Sequence, residues 1–188
     1  MSRMNCSIKK IAKVMLLLVF VMTALLSVML GYSGVWRVFF PSTHHDTLSP
    51  PLPTNMTSPA ILVFSKTNSF RHASGIDGGN KTLTKISARN NWEIFTTENG
   101  AIFNERDLQR FAAVVFLNTT GDTLNQPQQR AFQHWLETGG GWLGIHGAGD
   151  GSHTAWPWYM EHLIGAEFTA HIVGPQFQAA NVITETPN

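Results

Sequence analysis

Three histidines, His72, His146 and His171, follow or lie near strand-like segments, and imidazoles gathered in one place bind a metal or exchange protons near neutral pH. His146 has the most telling setting. It sits in Gly144-Ile145-His146-Gly147-Ala148-Gly149-Asp150, directly behind the apolar Gly141-Trp142-Leu143, which reads as a buried strand ending in a sharp, glycine-permitted turn. Turns of that kind present a reactive side chain at the carboxyl edge of an α/β sheet. Asp150 either orients the imidazole or acts as a second base; equally, an Asp beside glycine bonds nearby backbone amides. Asn118, Thr119 and Thr120 end another apolar run, where they either donate to substrate hydroxyls or cap their own loop. Trp156, with Trp158 and Tyr159, offers aromatic faces that suit sugar rings, or else core packing at a helix start. The single cysteine, Cys6, lies before a long apolar segment, so composition excludes a thiol nucleophile at the turn.

Other polar residues carry less. His44-His45 invites a metal, but two histidines on a linker lack a third ligand. His134, His153 and His162 read as ordinary polar positions, and Arg71 as a surface arginine. The metal candidates are therefore His72, His146 and His171, with a divalent ion possible and its identity open. No nucleotide signature is read, since there is no Gly-x-Gly-x-x-Gly turn between a strand and a helix and no Walker lysine loop.

The elements that must position these groups follow from hydrophobic pattern. Ala60-Ile61-Leu62-Val63-Phe64 and Ala112 to Leu117 are continuous apolar runs with β-branched residues, as expected of strands covered on both faces. Trp92 to Thr97 and Gly141 to His146 supply two more. Between them, Ser74 to Asn90, a short Glu105 to Arg110 capped by Asn104, and a segment capped by Asn125 with Pro127 near its start read as helices. Phe132, Trp135 and Leu136 form the buried stripe of the last. Strands alternating with helices predict an α/β fold, a parallel sheet with helices on both faces.

The amino terminus is different in kind. Residues 1–13 form a basic segment with Arg3, Lys9, Lys10 and Lys13, and residues 14–36 contain no charge and are rich in Leu, Val and Met. About 20 apolar residues cross a bilayer core, so 14–36 reads as one transmembrane signal-anchor, with the amino terminus cytoplasmic and the remainder extracytoplasmic. A cleaved leader, leaving a secreted or periplasmic domain, is the alternative. Residues 37–59, rich in Pro, Ser and Thr, read as an extended linker. The net charge of +1 comes from the terminus, since 60–188 holds eleven of the 12 acids, so neither composition nor charge argues for a nucleic-acid partner. The membrane is the expected partner, and the oligomeric state is left open.

Several segments in this order resemble the ThuA-like family, a trehalose-utilisation group within the class I glutamine amidotransferase-like, flavodoxin-like fold. The matching pieces are Leu62 to Thr67 followed by Phe70-Arg71-His72, Val115 to Asp122, Gly139-Gly140-Gly141, Gly144-Ile145-His146, Asp150, and Trp156-Pro157-Trp158-Tyr159. The resemblance covers nearly all of 60–188. It departs at Ala170-His171-Ile172, where the family commonly has Ser-His-Pro, and it implies further strands beyond Asn188, so the domain is expected to be incomplete at its carboxyl end. It also implies a carbohydrate substrate of the trehalose or keto-disaccharide type. The residues then suggest catalysis by His146, Asp150 and His72, with Asn118, Thr119, Thr120, His171 and Trp156 toward the ligand and no Cys-dependent glutaminase activity. The competing reading is a non-catalytic carbohydrate-binding module or an inactive remnant of the fold.

Overall fold

The computed structural model describes residues 2–172 together with 174, 178, 179, 181 and 183. How the expected domain closes at 184–188 lies outside the described residues. The first element is helix α1 (Ser2–Ser33). Its segment Ile8–Gly31 is long and apolar enough to cross a membrane, and its apolar stretch holds no buried residue. The helix ends at Ser33. Gly34 turns the chain at φ +72°, a left-handed conformation that glycine adopts without a Cβ clash, and a separate helical turn, α2 (Trp36–Phe39), follows.

Four strands make the sheet: β1 (Ala60–Phe64), β2 (Glu93–Thr97), β3 (Ala113–Leu117) and β4 (Gly141–Ile145). They pair in parallel in the order β2-β1-β3-β4. Alternation along β1 and β3 sends Leu62, Phe64, Val114 and Phe116 to one face and Val63, Val115 and Leu117 to the other. The first face is the thick one. It packs on Ile102, Phe103, Leu108, Phe132 and Trp135, where Phe64, Phe103, Phe116 and Phe132 form edge and stacked ring pairs with centroids 4.7–5.7 Å apart. Leu83 of α3 (Ala73–Asn90) helps cover the second face. Helices therefore lie on both faces, as the alternating pattern requires.

Local signals place the remaining helices. The Asn104 side chain accepts from the Asp107 amide at the start of α4 (Glu105–Leu108). Asn125 and Gln128 exchange bonds in a capping box at the start of α5 (Gln126–Glu137), satisfying backbone groups that the first turn leaves without partners.

Residues 41–59 lack regular structure and are docked against the domain. The Ser42 amide donates to Asn68 O at 2.6 Å, and Asn68 Nδ2 donates to His44 O at 3.1 Å. Asp46 pairs with the buried Lys66 at 2.5 Å and accepts from the Gly100 amide at 2.9 Å. Farther on, Ser49 donates to Asp107, Leu52 and Met56 pack on the aromatic core, and Pro59 O accepts from Glu93 N. The strap thus runs from the carboxyl edge of the sheet to its amino edge and delivers the chain to the start of β1. Composition misses this because isolated anchors such as Asp46 and Leu52 leave no period in the sequence.

Candidate functional site at the carboxyl edge

From β1 the chain moves to β2 on one side, whereas β3 lies on the other, so the loops that leave β1 and β3 diverge. Such a switch point opens a crevice outside the carboxyl ends of a parallel sheet. His72 ends the loop after β1, Asn118 follows β3, and His146 follows β4.

Asn118 and His146 come together for a register reason. Leu117 pairs with Ile145, so the residues leaving the two strands are neighbours. Both enter the left-handed region, Asn118 at φ +54° and His146 at φ +51°. Asn tolerates this conformation; for histidine it costs on the order of 1 kcal/mol or more. The geometry brings His146 Nδ1 to 2.9 Å from Asn118 Oδ1. With Nδ1 donating to that carbonyl oxygen, Nε2 carries the lone pair and is the nitrogen able to accept a proton or meet a ligand. On the other side of Asn118, a Cβ at Gly75 would lie 3.2 Å from Nδ2, so glycine lets the first turn of α3 approach.

His72 meets His146 edge to face, ring centroids 4.4 Å apart at 89°, with Phe70 4.9 Å away on its other flank. Burial pushes the His72 imidazole below its ordinary pKa and repulsion from His146 pushes it further, against an opposing pull from Asp150. At neutral pH His72 is therefore a neutral acceptor or donor beside His146.

Asp150 turns to its own loop. It accepts from the amide of Ser152 at 2.9 Å and from its hydroxyl, while Ser152 Oγ accepts from Gly121 N at 2.6 Å. The group bonded to the His146 ring is Asn118; Asp150 reaches His72 through its field. Gly121 has φ +75°, and a Cβ there would lie 2.8 Å from Ser69 N, so the turn after β3 can close only on glycine. Thr120 Oγ1 donates to Phe70 O at 2.7 Å, tying the β1 and β3 loops together. Thr119 is fully buried, and its hydroxyl has no hydrogen-bond partner among the described residues.

His153, read from sequence as an ordinary polar position, is buried beneath the turn. Its Nε2 donates to Thr119 O at 3.0 Å, which fixes the tautomer, and burial holds the ring below its ordinary pKa despite the pull of Asp150 and nearby carbonyls. Tyr159 Oη donates to Ala148 O at 2.6 Å from the same layer. The one available signal was the sequence Asp150-Gly-Ser-His153 directly after the turn, and loop burial has no periodicity to reveal it.

Trp156 belongs to the core, stacked on Tyr159 at 5.1 Å and on Trp158 at 5.8 Å. His171 is exposed and bonds Ile172 O. The structure thus brings His72 and His146 together with Asn118; no group of three or more His, Cys, Asp or Glu able to hold a metal occurs among the described residues. His44 and His45 lie near carboxylates, Asp46 at 3.5 Å and Asp122 at 3.2 Å.

Comparison with known proteins completes the description. No curated protein matches the sequence. Among solved structures, a ThuA-like protein from Bacteroides uniformis is 22% identical with a TM-score of 0.49, over 64% of this chain and 50% of that one. The chain therefore spans about half the length of that protein. The sequence model for ThuA, described as trehalose utilisation, matches residues 60–188, the whole region that holds the sheet and the paired imidazoles. By that match the chain belongs to the ThuA family.

Proposed function

We propose that the carboxyl edge of the sheet is a carbohydrate site in which His146 moves a proton through Nε2, with His72 as its neutral partner. The observation that carries this reading is the strained, hydrogen-bonded placement of His146. A left-handed histidine held by an amide oxygen at a switch point presents one defined nitrogen to a ligand, and backbone strain of this kind gathers at functional sites. A carbohydrate or keto-sugar derived from a disaccharide is the substrate class that membership of a trehalose-utilisation family suggests. Base catalysis suits it, because a hydroxyl proton, or a proton on carbon beside a ketone, can pass to a neutral imidazole.

We also place α1 in the membrane, with Arg3, Lys9, Lys10 and Lys13 on the cytoplasmic side and the domain outside. A reporter fused after Asn188 should then be active only outside the cytoplasm; cytoplasmic activity reverses the orientation. For the chemistry, the full chain should be screened for a thermal shift and for turnover with oxidised and unoxidised disaccharides, with its metal content measured on the same sample. Turnover lost in His146→Ala supports the proton-transfer role. A shift without turnover in either protein would leave a binding module in its place.

A further inference from the structure

We infer that the carboxyl edge of the sheet, the edge carrying His72 and His146, faces the lipid headgroups. This rests on the membrane reading of α1 and adds the orientation of the domain to it. Behind Gly34, the turn Trp36–Phe39 and the residue after it expose apolar side chains: Trp36 is 52% exposed, Val38 52%, Phe39 69% and Phe40 59%. Trp36 stacks on Phe40 with centroids 4.3 Å apart, and Arg37 lies between them in sequence. Aromatic residues with a flanking cation, directly following a hydrophobic span, are the composition of the membrane–water interface.

The strap then leaves almost no slack. Two residues beyond Phe40, the Ser42 amide is bonded to Asn68 O in the loop after β1, and the next anchors are Asn68 on His44 and Lys66 on Asp46. Two residues reach about 7 Å at most. A turn seated in the interface therefore holds the loops after β1 at the headgroup layer. Only afterward does the strap run away from the bilayer, to enter β1 at the far edge. An open cleft of about 560 Å³ lies at the junction; its lining is polar, with Arg37, Ser42, His44 and Glu98 around the Lys66–Asp46 pair, and is unsuited to acyl chains.

The test uses the full chain with Cys6→Ser, reconstituted in vesicles of phosphatidylcholine and phosphatidylglycerol that contain a headgroup-nitroxide lipid. A fluorophore is attached at Ser74→Cys in one protein and at Arg89→Cys in another. Both positions are exposed and lie about 22 Å apart along α3, near the carboxyl and amino edges respectively. Quenching several-fold stronger at position 74 than at 89 is expected, and its loss when Trp36, Phe39 and Phe40 are all replaced by serine. Equal or reversed quenching in vesicle-bound protein would overturn the orientation alone, and contrast that survives the triple replacement would overturn the seating of the turn. Protein washed off the vesicles by carbonate would instead sink the membrane reading of α1 and this inference with it.

Discussion

Two polar clusters share the carboxyl edge, and they are built on opposite principles. On the β1–β2 side, Lys66 pairs with Asp46 of the strap, Asp46 also accepts from the Gly100 amide, and Asn68 donates to His44 O of the strap. On the β3–β4 side, His146 stands at φ +51° with its Nδ1 engaged by Asn118, and His72 meets it ring to ring. The first cluster has its polar groups paired; the second accepts backbone strain and leaves the other imidazole nitrogen of His146 without a hydrogen bond among the described residues. Buried polarity alone would not tell them apart. Satisfaction and strain do, and under the function proposed above they place stability on the strap side and chemistry on the histidine side.

The sharpest way to break that division is to remove the strained histidine. His146→Gly relieves a left-handed conformation, so unfolding in urea should show stability changed by no more than about 1 kcal/mol in either direction. If the proposed function holds, sugar turnover should fall roughly 10²- to 10⁴-fold, the scale of a lost general acid or base. A large loss of stability with chemistry retained would move His146 into the structural class.

The converse experiment is Lys66→Met. Losing one partner of a buried pair commonly costs 3–5 kcal/mol, and the partial exposure of Asp46, at 23%, lowers the expectation here to about 2–3 kcal/mol. Any turnover by the folded protein should be unchanged, and limited proteolysis should cut within residues 41–59. If Lys66→Met abolishes turnover without freeing the strap, the two clusters are one site.

Acid should loosen the strap before it reaches the core. Burial opposes ionisation of Asp107, but hydrogen bonds from Arg106, Ser49 and Asn104 outweigh it and hold the carboxyl at about 2. Asp46 is likewise held below its ordinary range by Lys66 and the Gly100 amide, despite burial. A carboxylate whose folded pKa is depressed stabilises the fold above its unfolded value, near 3.8 for Asp107, and that contribution is lost as pH falls toward 2. Because Arg106 is largely exposed, solvent screening reduces the Asp107 share to about 1–2 kcal/mol. Denaturation followed from pH 5 to about pH 2 should show that loss, and Asp107→Asn should flatten the dependence. An unchanged slope would remove Asp107 from the strap's account.

How legible this was in the sequence depended on whether a feature had a period. The runs at Ala60 and Ala112, the Asn125 cap and the stripe of Phe132 and Trp135 all announced their elements, and the boundaries moved by only a residue or two. The family also showed, through the order of motifs from Leu62 to Tyr159. Of the site, His72 and His146 were read and are neighbours in the structure. Their bonding was not read: Asn118 was named for ligand contact, and the structure bonds its side chain to the His146 ring, because two strand ends meeting in left-handed turns is a property of register and not of spacing. His153 and the strap were hidden for a related reason. Both depend on scattered long-range bonds, such as Thr119 O to His153 and Lys66 to Asp46, separated by 34 and 20 residues.

The finest test concerns what Asn118 does for the imidazole. Its amide oxygen is a neutral acceptor for Nδ1–H, which fixes the tautomer without stabilising the charged ring strongly. Asn118→Asp puts a carboxylate in nearly the same volume at the same place, and an anion beside the ring favours the imidazolium. The acid limb of the pH–rate profile should therefore move to higher pH by about one unit, and an NMR titration of His146 should move with it. Asn118→Leu removes the acceptor altogether, so the tautomer is no longer held and turnover should fall about ten-fold, within the range of losses seen when a partner that orients a histidine is removed. The charge of Asp also reaches His72, whose ring touches that of His146, so both histidines should titrate upward together. A shift in His72 alone would mean that the 2.9 Å bond is not what holds His146, and the reactive nitrogen of the site would have to be sought on His72.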